Sequence, residues 1–157
     1  MALPVGQQAP DFILYNTEKK QVTLSEQRGQ NVLLLFFPFA FTSVCTAELC
    51  SVRDNFKIYE SLKARPFGIS VDSLYTLKRY KEEQNLNFDL LSDFNKEASA
   101  AYNVLYQTFS YGMQGVSKRA AFVLDKSGII RYAEVLENAS LQPNFKAIKE
   151  TLTAIQL

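Results

Sequence analysis

The run Val32-Leu33-Leu34-Leu35-Phe36-Phe37, halted by Pro38, sets the tightest constraint on how this 157-residue chain can fold. A strand that is apolar at every position must be covered on both faces, so it belongs in the middle of a sheet with a layer above and a layer below. Pro38 ends it because proline has no N–H for the ladder. Residues 11–15 and 21–24 are short extended runs separated by polar residues 16–20, which is the pattern of a β-hairpin, and Ser25 is placed to cap a short turn ended by Gly29. After Phe39-Ala40-Phe41, Thr42 or Ser43 can cap a helix whose apolar positions Leu49, Val52, Phe56, Tyr59 and Leu62 recur at three- and four-residue steps.

Downstream, residues 67–71 predict a strand, 73–84 a polar helix, 88–91 a short strand and 96–102 a short helix. Residues 120–124 and 129–133 flank Asp125-Lys126-Ser127-Gly128, where Gly128 supplies the backbone freedom of a turn. Residues 143–155 form an amphipathic helix with Phe145, Ile148, Leu152 and Ile155 on one face. Alternating elements imply an α/β fold, a central mixed β-sheet flanked by α-helices with an N-terminal β-hairpin, in one domain over residues 1–157.

Composition then removes function classes. With no histidine there is no Ser-His-Asp or Cys-His pair, no imidazole metal site and no His-ligated haem. Seventeen basic against sixteen acidic residues, without a basic block, give no surface for nucleic acid. No run approaches the roughly 18 apolar residues of a membrane span, and the opening Met1-Ala2-Leu3-Pro4-Val5-Gly6 lacks the basic start and apolar core of a signal. The expectation is a cytoplasmic protein whose two cysteines, Cys45 and Cys50, are normally reduced.

Cys45 falls in the first turn of a helix that follows a buried strand. There the helix dipole and unpaired backbone N–H groups favour a thiolate over a thiol. Lowering a cysteine pKa from about 8.5 to about 6 raises the thiolate fraction at neutral pH only about thirty-fold. An enzyme of ordinary power accelerates at least about a million-fold, so most of the rate must come from groups aimed at charge that develops in the transition state. Thr42 offers a hydroxyl three residues before Cys45, and a cation from elsewhere in the fold is required. On the residues alone, Cys45 as a nucleophile and Cys45 as an inert core thiol, with Thr42 a helix cap, both stand.

The run from Pro38 to Cys45 resembles the Pro-x-x-x-Thr/Ser-x-x-Cys signature of the peroxiredoxins, thiol peroxidases on a thioredoxin-like fold. Four further stretches agree with that family: Val5-Gly6 with Ala9-Pro10-Asp11-Phe12, the strand at 32–37, Phe67-Gly68-Ile69-Ser70-Val71-Asp72, and Arg119-Ala120-Ala121-Phe122-Val123-Leu124-Asp125. The sequence is most similar to the bacterial groups called PrxQ, or bacterioferritin comigratory protein, and AhpE. The resemblance implies Cys45 as the peroxidatic cysteine and Thr42 as the hydroxyl that orients the peroxide. It makes Pro38 the shield of the sulfur and Arg119 the distant cation. Glu48, one helical turn after Cys45, becomes a partner of Arg119 or a solvated carboxylate. It further implies hydrogen peroxide and organic hydroperoxides as substrates, no metal, haem or flavin, and a monomer or homodimer.

Cys50 separates the subtypes. A five-residue step after the peroxidatic cysteine matches the resolving cysteine of many PrxQ proteins, to be cleared as a disulfide by thioredoxin, glutaredoxin or a similar dithiol, whereas AhpE-like sequences lack it. In an intact helix, residues five apart have Cα atoms roughly 8.5 Å apart and lie about 140° apart around the axis, while a disulfide needs less than about 7 Å. Joining the two therefore requires the helix start to unwind. The rival readings are a one-cysteine peroxidase resolved by an external thiol and a catalytically silent binding or chaperone-like module. Two departures are visible: the Gly-Gly-Leu-Gly and Tyr-Phe motifs of peroxide-sensitive relatives are missing, so easy overoxidation is not expected, and Ala121 stands where many relatives carry Ser or Thr. Tyr106, Phe109, Tyr111 and Met113 could line a pocket or a dimer contact, or simply be core.

Overall fold

The structure is a computed structural model that describes residues 3–156, so Met1 and Ala2 of the opening segment and Leu157 lie outside it. Seven strands form one mixed sheet: β1 (Ile13–Asn16), β2 (Gln21–Thr23), β3 (Asn31–Phe36), β4 (Ala64–Ser70), β5 (Asp89–Ser92), β6 (Arg119–Leu124) and β7 (Ile130–Leu136), in the spatial order β2-β1-β5-β4-β3-β6-β7. The apolar run is buried at every position of β3, which pairs parallel with β4 and antiparallel with β6. β4 and β5 are parallel, and the expected hairpin is β1-β2 in antiparallel register, Leu14 opposite Val22.

Alternation along β3 sends its side chains into two separate cores. Leu34 and Phe36 pack with Phe67, Ile69, Phe122 and Tyr102 on one face. Leu33, Leu35 and Phe37 pack with Cys45, Leu49, Val52, Leu77 and Ile148 on the other. That second face is covered by α1 (Ser43–Asp54), α2 (Phe56–Ser61), α3 (Leu74–Gln84) and α5 (Phe145–Ala154), whereas the short α4 (Glu97–Ala101) adds Ala98 to the first. Gly68 lets α1 come close: a Cβ there would stand 2.7 Å from Leu90 and 3.3 Å from Phe37, in contact with Leu49.

Several details differ from the sequence reading, among them the end of β7, which runs to Leu136 rather than residue 133. The helix expected to run to Leu62 breaks at Asn55, whose side-chain amide donates to the Ser51 carbonyl (2.8 Å) while its backbone leaves the helical region, so α2 begins afresh. β4 starts three residues earlier than residue 67 and tolerates Pro66, because β5 joins it only from Phe67 onward and Pro66 needs no second ladder. Ser25 caps nothing. It lies inside a 3-10 turn, Leu24–Gln27, and its backbone N–H donates to Asp11 Oδ1 (2.8 Å). The turn at Gly128 (φ +81°) and the buried face of α5, Ile148 and Leu152, follow the sequence pattern.

Candidate active site

Strand β3 delivers the chain to Pro38, which is buried, and the loop to Thr42 returns it to the start of α1. Thr42 occupies the cap position of α1 but caps no N–H; its hydroxyl donates instead to the Phe39 carbonyl (2.8 Å). Helix geometry leaves the N–H groups of Ser43, Val44 and Cys45 without an intrahelical acceptor, so the dipole's positive end is open at this point. A hydroxyl whose proton is committed to Phe39 has its lone pairs free to accept from another O–H.

Cys45 is 1% exposed and packs into the second core. Arg119, 74 residues away, reaches it. Its Nη1 lies 3.2 Å from Cys45 Sγ and 2.6 Å from Glu48 Oε1, while Nε and Nη2 donate to the Ala139 carbonyl at 3.3 and 2.9 Å. Antiparallel pairing explains the approach. Phe36 sits opposite Ala120, so the first residue of β6 lies where β3 leaves for Pro38, and alternation puts Arg119 on the same face as Ala121 and Val123, under α1. Arg119, the cation that the resemblance implies, is 2% exposed in the fold.

Glu48 is the other half of this buried ion pair and is fully buried rather than solvated. Burial pushes its carboxyl up from the usual carboxylate range to about 7; Arg119 pulls against that, and Glu134 adds to it. Its second oxygen, Oε2, finds no hydrogen-bond partner. For Arg119 burial works against the charge, but Glu48 and Cys45 more than offset it and the guanidinium is held above its ordinary range. Nη1 of Arg119, which carries two N–H groups, thus faces both the sulfur and the carboxylate, so Glu48 and Cys45 share the charge of one guanidinium nitrogen.

Cys50 lies on the same unbroken helix, half-buried, with Sγ 3.7 Å from Gln84 Oε1 of α3, and both cysteines are free thiols. One turn earlier Thr46 shares a 2.8 Å hydrogen bond with Tyr80, also on α3, whose phenol burial pushes up to about 12. Two α3 side chains one turn apart therefore grip two α1 side chains one turn apart. Of the four residues expected near the site, Phe109 stacks at 6.3 Å on Phe39 and at 4.9 Å on Tyr106, whereas Tyr111 and Met113 are exposed, so none of them is core. Tyr80, Gln84 and Asp72, which accepts the Ala40 N–H, carried no functional assignment in the sequence reading. No local pattern marks a side chain whose partner lies about 30 residues away. Among the described residues no group of three or more Cys, Asp or Glu could hold a metal ion, and no helix is long and apolar enough to cross a membrane.

Comparison with known proteins shows the family and the fold. The AhpC/TSA family profile matches residues 5–133. The chain is 41% identical over 136 residues to alkyl hydroperoxide reductase E of Mycobacterium tuberculosis, covering 85% of this chain and 86% of that protein. It is 35% identical over 167 residues to the chloroplastic 2-cysteine peroxiredoxin of Chattonella marina var. antiqua, covering 99% and 82%. The crystal structure of peroxidoxin BcpB from Mycobacterium tuberculosis superposes with a TM-score of 0.85 at 28% identity, over 96% of this chain and 97% of that one. The chain belongs to the AhpC/TSA family: it is a peroxiredoxin on a thioredoxin-like fold, a thiol-dependent peroxidase.

Proposed function

We propose that Cys45 is the nucleophile of this peroxidase, that Thr42 and Arg119 form the peroxide site around it, and that Pro38 closes the sulfur off from water. A sulfur lone pair attacks the terminal peroxide oxygen, the S–O bond forms as the O–O bond breaks, and the electron pair leaves on the distal oxygen, which takes up a proton as water or alcohol. Sulfur is oxidised by two electrons to a sulfenic acid, and the peroxide is reduced by two. Thr42 accepts the O–H of the incoming peroxide because its own proton is held by Phe39. The Arg119 guanidinium faces the charge that moves onto the oxygens, where a fixed donor favours the transition state over bound substrate. The observation that carries this reading is the 3.2 Å contact between Arg119 and the Cys45 sulfur at an open helix start. The substrates are hydrogen peroxide and organic hydroperoxides, the latter in accord with the name of the alkyl hydroperoxide reductase relative.

Cys50 then resolves the sulfenic acid: its thiol attacks Cys45 Sγ, water leaves, and a disulfide forms that a dithiol such as thioredoxin or glutaredoxin reduces. The protein acts in the cytoplasm as a monomer or homodimer, with residues 1–157 as one domain. A second reading has its own support. Both cysteines sit on one intact helix gripped by α3, which favours a one-cysteine cycle cleared by an external thiol. Intact mass after one equivalent of hydrogen peroxide separates them. Loss of two hydrogens, abolished by Cys45→Ser and by Cys50→Ser, is expected; a persistent gain of one oxygen would replace the two-cysteine cycle with the one-cysteine cycle. No change in the wild type would overturn the assignment of Cys45.

A further inference from the structure

The loop from Phe37 to Thr42 carries the hydroxyl assigned to the peroxide, yet its backbone is not one the chain adopts freely. Phe41 has φ +66°, a left-handed conformation that a bulky residue holds only when its surroundings impose it. The bonds that could impose it are few. Phe37 N–H donates to Ile69 O at the loop's start, and the Thr42 hydroxyl donates to Phe39 O within the loop. The half-exposed Phe41 ring lies edge-on against Tyr80 at 5.0 Å. At mid-loop the Ala40 N–H donates to Asp72 Oδ2 (2.8 Å), a carboxylate on the segment that leaves the neighbouring strand β4.

Asp72 is itself held from two strands. The Ser70 hydroxyl donates to the same Oδ2 at 2.7 Å, the Asp72 N–H returns to Ser70 Oγ at 3.2 Å, and the Ser92 hydroxyl of β5 donates to the Asp72 carbonyl at 2.6 Å. Ser70 is fully buried, so its hydroxyl has no water as an alternative partner. Because β3, β4 and β5 are parallel, their carboxyl ends lie together, and this lattice lashes the loop after β3 to the ends of the other two. A short bond between a carboxylate and a backbone N–H is among the stronger hydrogen bonds available to a loop.

We propose that Asp72 is a positioning residue of the peroxide site: anchored on Ser70 and Ser92, its carboxylate fixes the Ala40 N–H and thereby sets where the Thr42 hydroxyl stands above Cys45. Asp72 touches neither peroxide nor sulfur. It acts through two loop residues, and misplacement of an orienting group by about 1 Å can cost on the order of a hundredfold in rate. The assignment rests on the reading of Cys45 and Thr42 given above.

Two rates of Cys45 in the reduced, full-length protein test it: sulfenic acid formation with hydrogen peroxide, and alkylation by a haloacetamide, which needs the sulfur but no partner for a peroxide O–H. Asp72→Ala is expected to lower the ratio of peroxide rate to alkylation rate about tenfold or more, and Asp72→Asn, which keeps an acceptor oxygen, to restore most of it. An unchanged ratio in folded Asp72→Ala overturns the proposal. Should that variant fail to fold, Ser70→Ala, which removes one contact to the carboxylate, is expected to lower the ratio a few-fold, and no change there overturns it equally. Wild-type protein that forms no sulfenic acid in the same assay would sink the reading of Cys45 itself, an outcome distinct from an unchanged ratio in a reactive protein.

Discussion

Cys45 and Cys50 ride on the same helix five residues apart, and the fold treats them in opposite ways. Cys45 is sealed at the helix start against a guanidinium that reaches it from β6, on the sheet face that α1 covers. Cys50 is half-exposed and meets a neutral amide at 3.7 Å on a neighbouring helix. One thiol is surrounded by charge that a reaction can use; the other is held by contacts weak enough to let go. What packs against the helix thus gives two cysteines of equal chemistry different surroundings, one sealed beside a charge and the other half-exposed beside a neutral amide.

The comparison breaks most sharply if the nucleophile is moved. Cys45→Ser is expected to slow peroxide consumption by at least about a thousandfold, whereas Cys50→Ser leaves the first oxidation of Cys45 within about twofold of wild type, both read by stopped-flow at limiting peroxide. Equal losses in the two variants would erase the distinction. Next in size is Arg119→Met, which removes the donor shared by Cys45 and Glu48 and is expected to cost about a hundred- to a thousandfold in the oxidation step. It also leaves the Glu48 carboxylate buried without its partner, so urea melts should show a loss of about 3–5 kcal/mol at pH 8 and less at pH 5, where Glu48 takes a proton instead.

Glu48 gives the pH dependence. Its native carboxyl, raised to about 7, keeps its proton to higher pH than the unfolded one near 4.5, so the native state binds more protons between those values. Its contribution to stability is therefore full below about 4.5, is lost as pH rises to about 7 by no more than about 1.4 kcal/mol per pH unit, and is flat above. Glu48→Gln should remove this slope from stability measured across that range; an identical slope in the variant would show that other groups cause it. The smallest expected effect lies at the grip on α1. Tyr80→Phe deletes a hydrogen bond worth about 1 kcal/mol that must break if the helix start unwinds, so disulfide formation should quicken about fivefold in quenched mass measurements. A slower disulfide would mean that Tyr80 aids the unwinding.

The central, doubly covered position of β3, the hairpin, the amphipathic α5 and the place of Cys45 at a helix start were all legible in the chain, because each is written in a local period or a turn residue. The break at Asn55 was not, since the apolar spacing continues through Phe56 and Tyr59 and gives no sign of a side chain that bonds its own helix. The start of β4 at Ala64 was missed for a related reason: whether Pro66 fits a strand depends on which neighbour strand reaches it. Within the site, Arg119 was found through the family resemblance, although the alternation of Arg119, Ala121 and Val123 already put it on one face of a buried strand. Asp72, Tyr80 and Gln84 had no such signal.

The sequence by itself determined that a buried strand runs into Pro38 and that a cysteine opens the next helix, three residues after a threonine, because backbone periodicity and helix-start geometry are properties of neighbouring residues. Only the tertiary structure decided that a guanidinium 74 residues away stands 3.2 Å from that sulfur, that Glu48 is sealed beside it, and that Asp72 holds the loop between them. Strand pairing chooses which distant side chains meet, and the loss of water around a charge is a sum over every group that the fold packs against it.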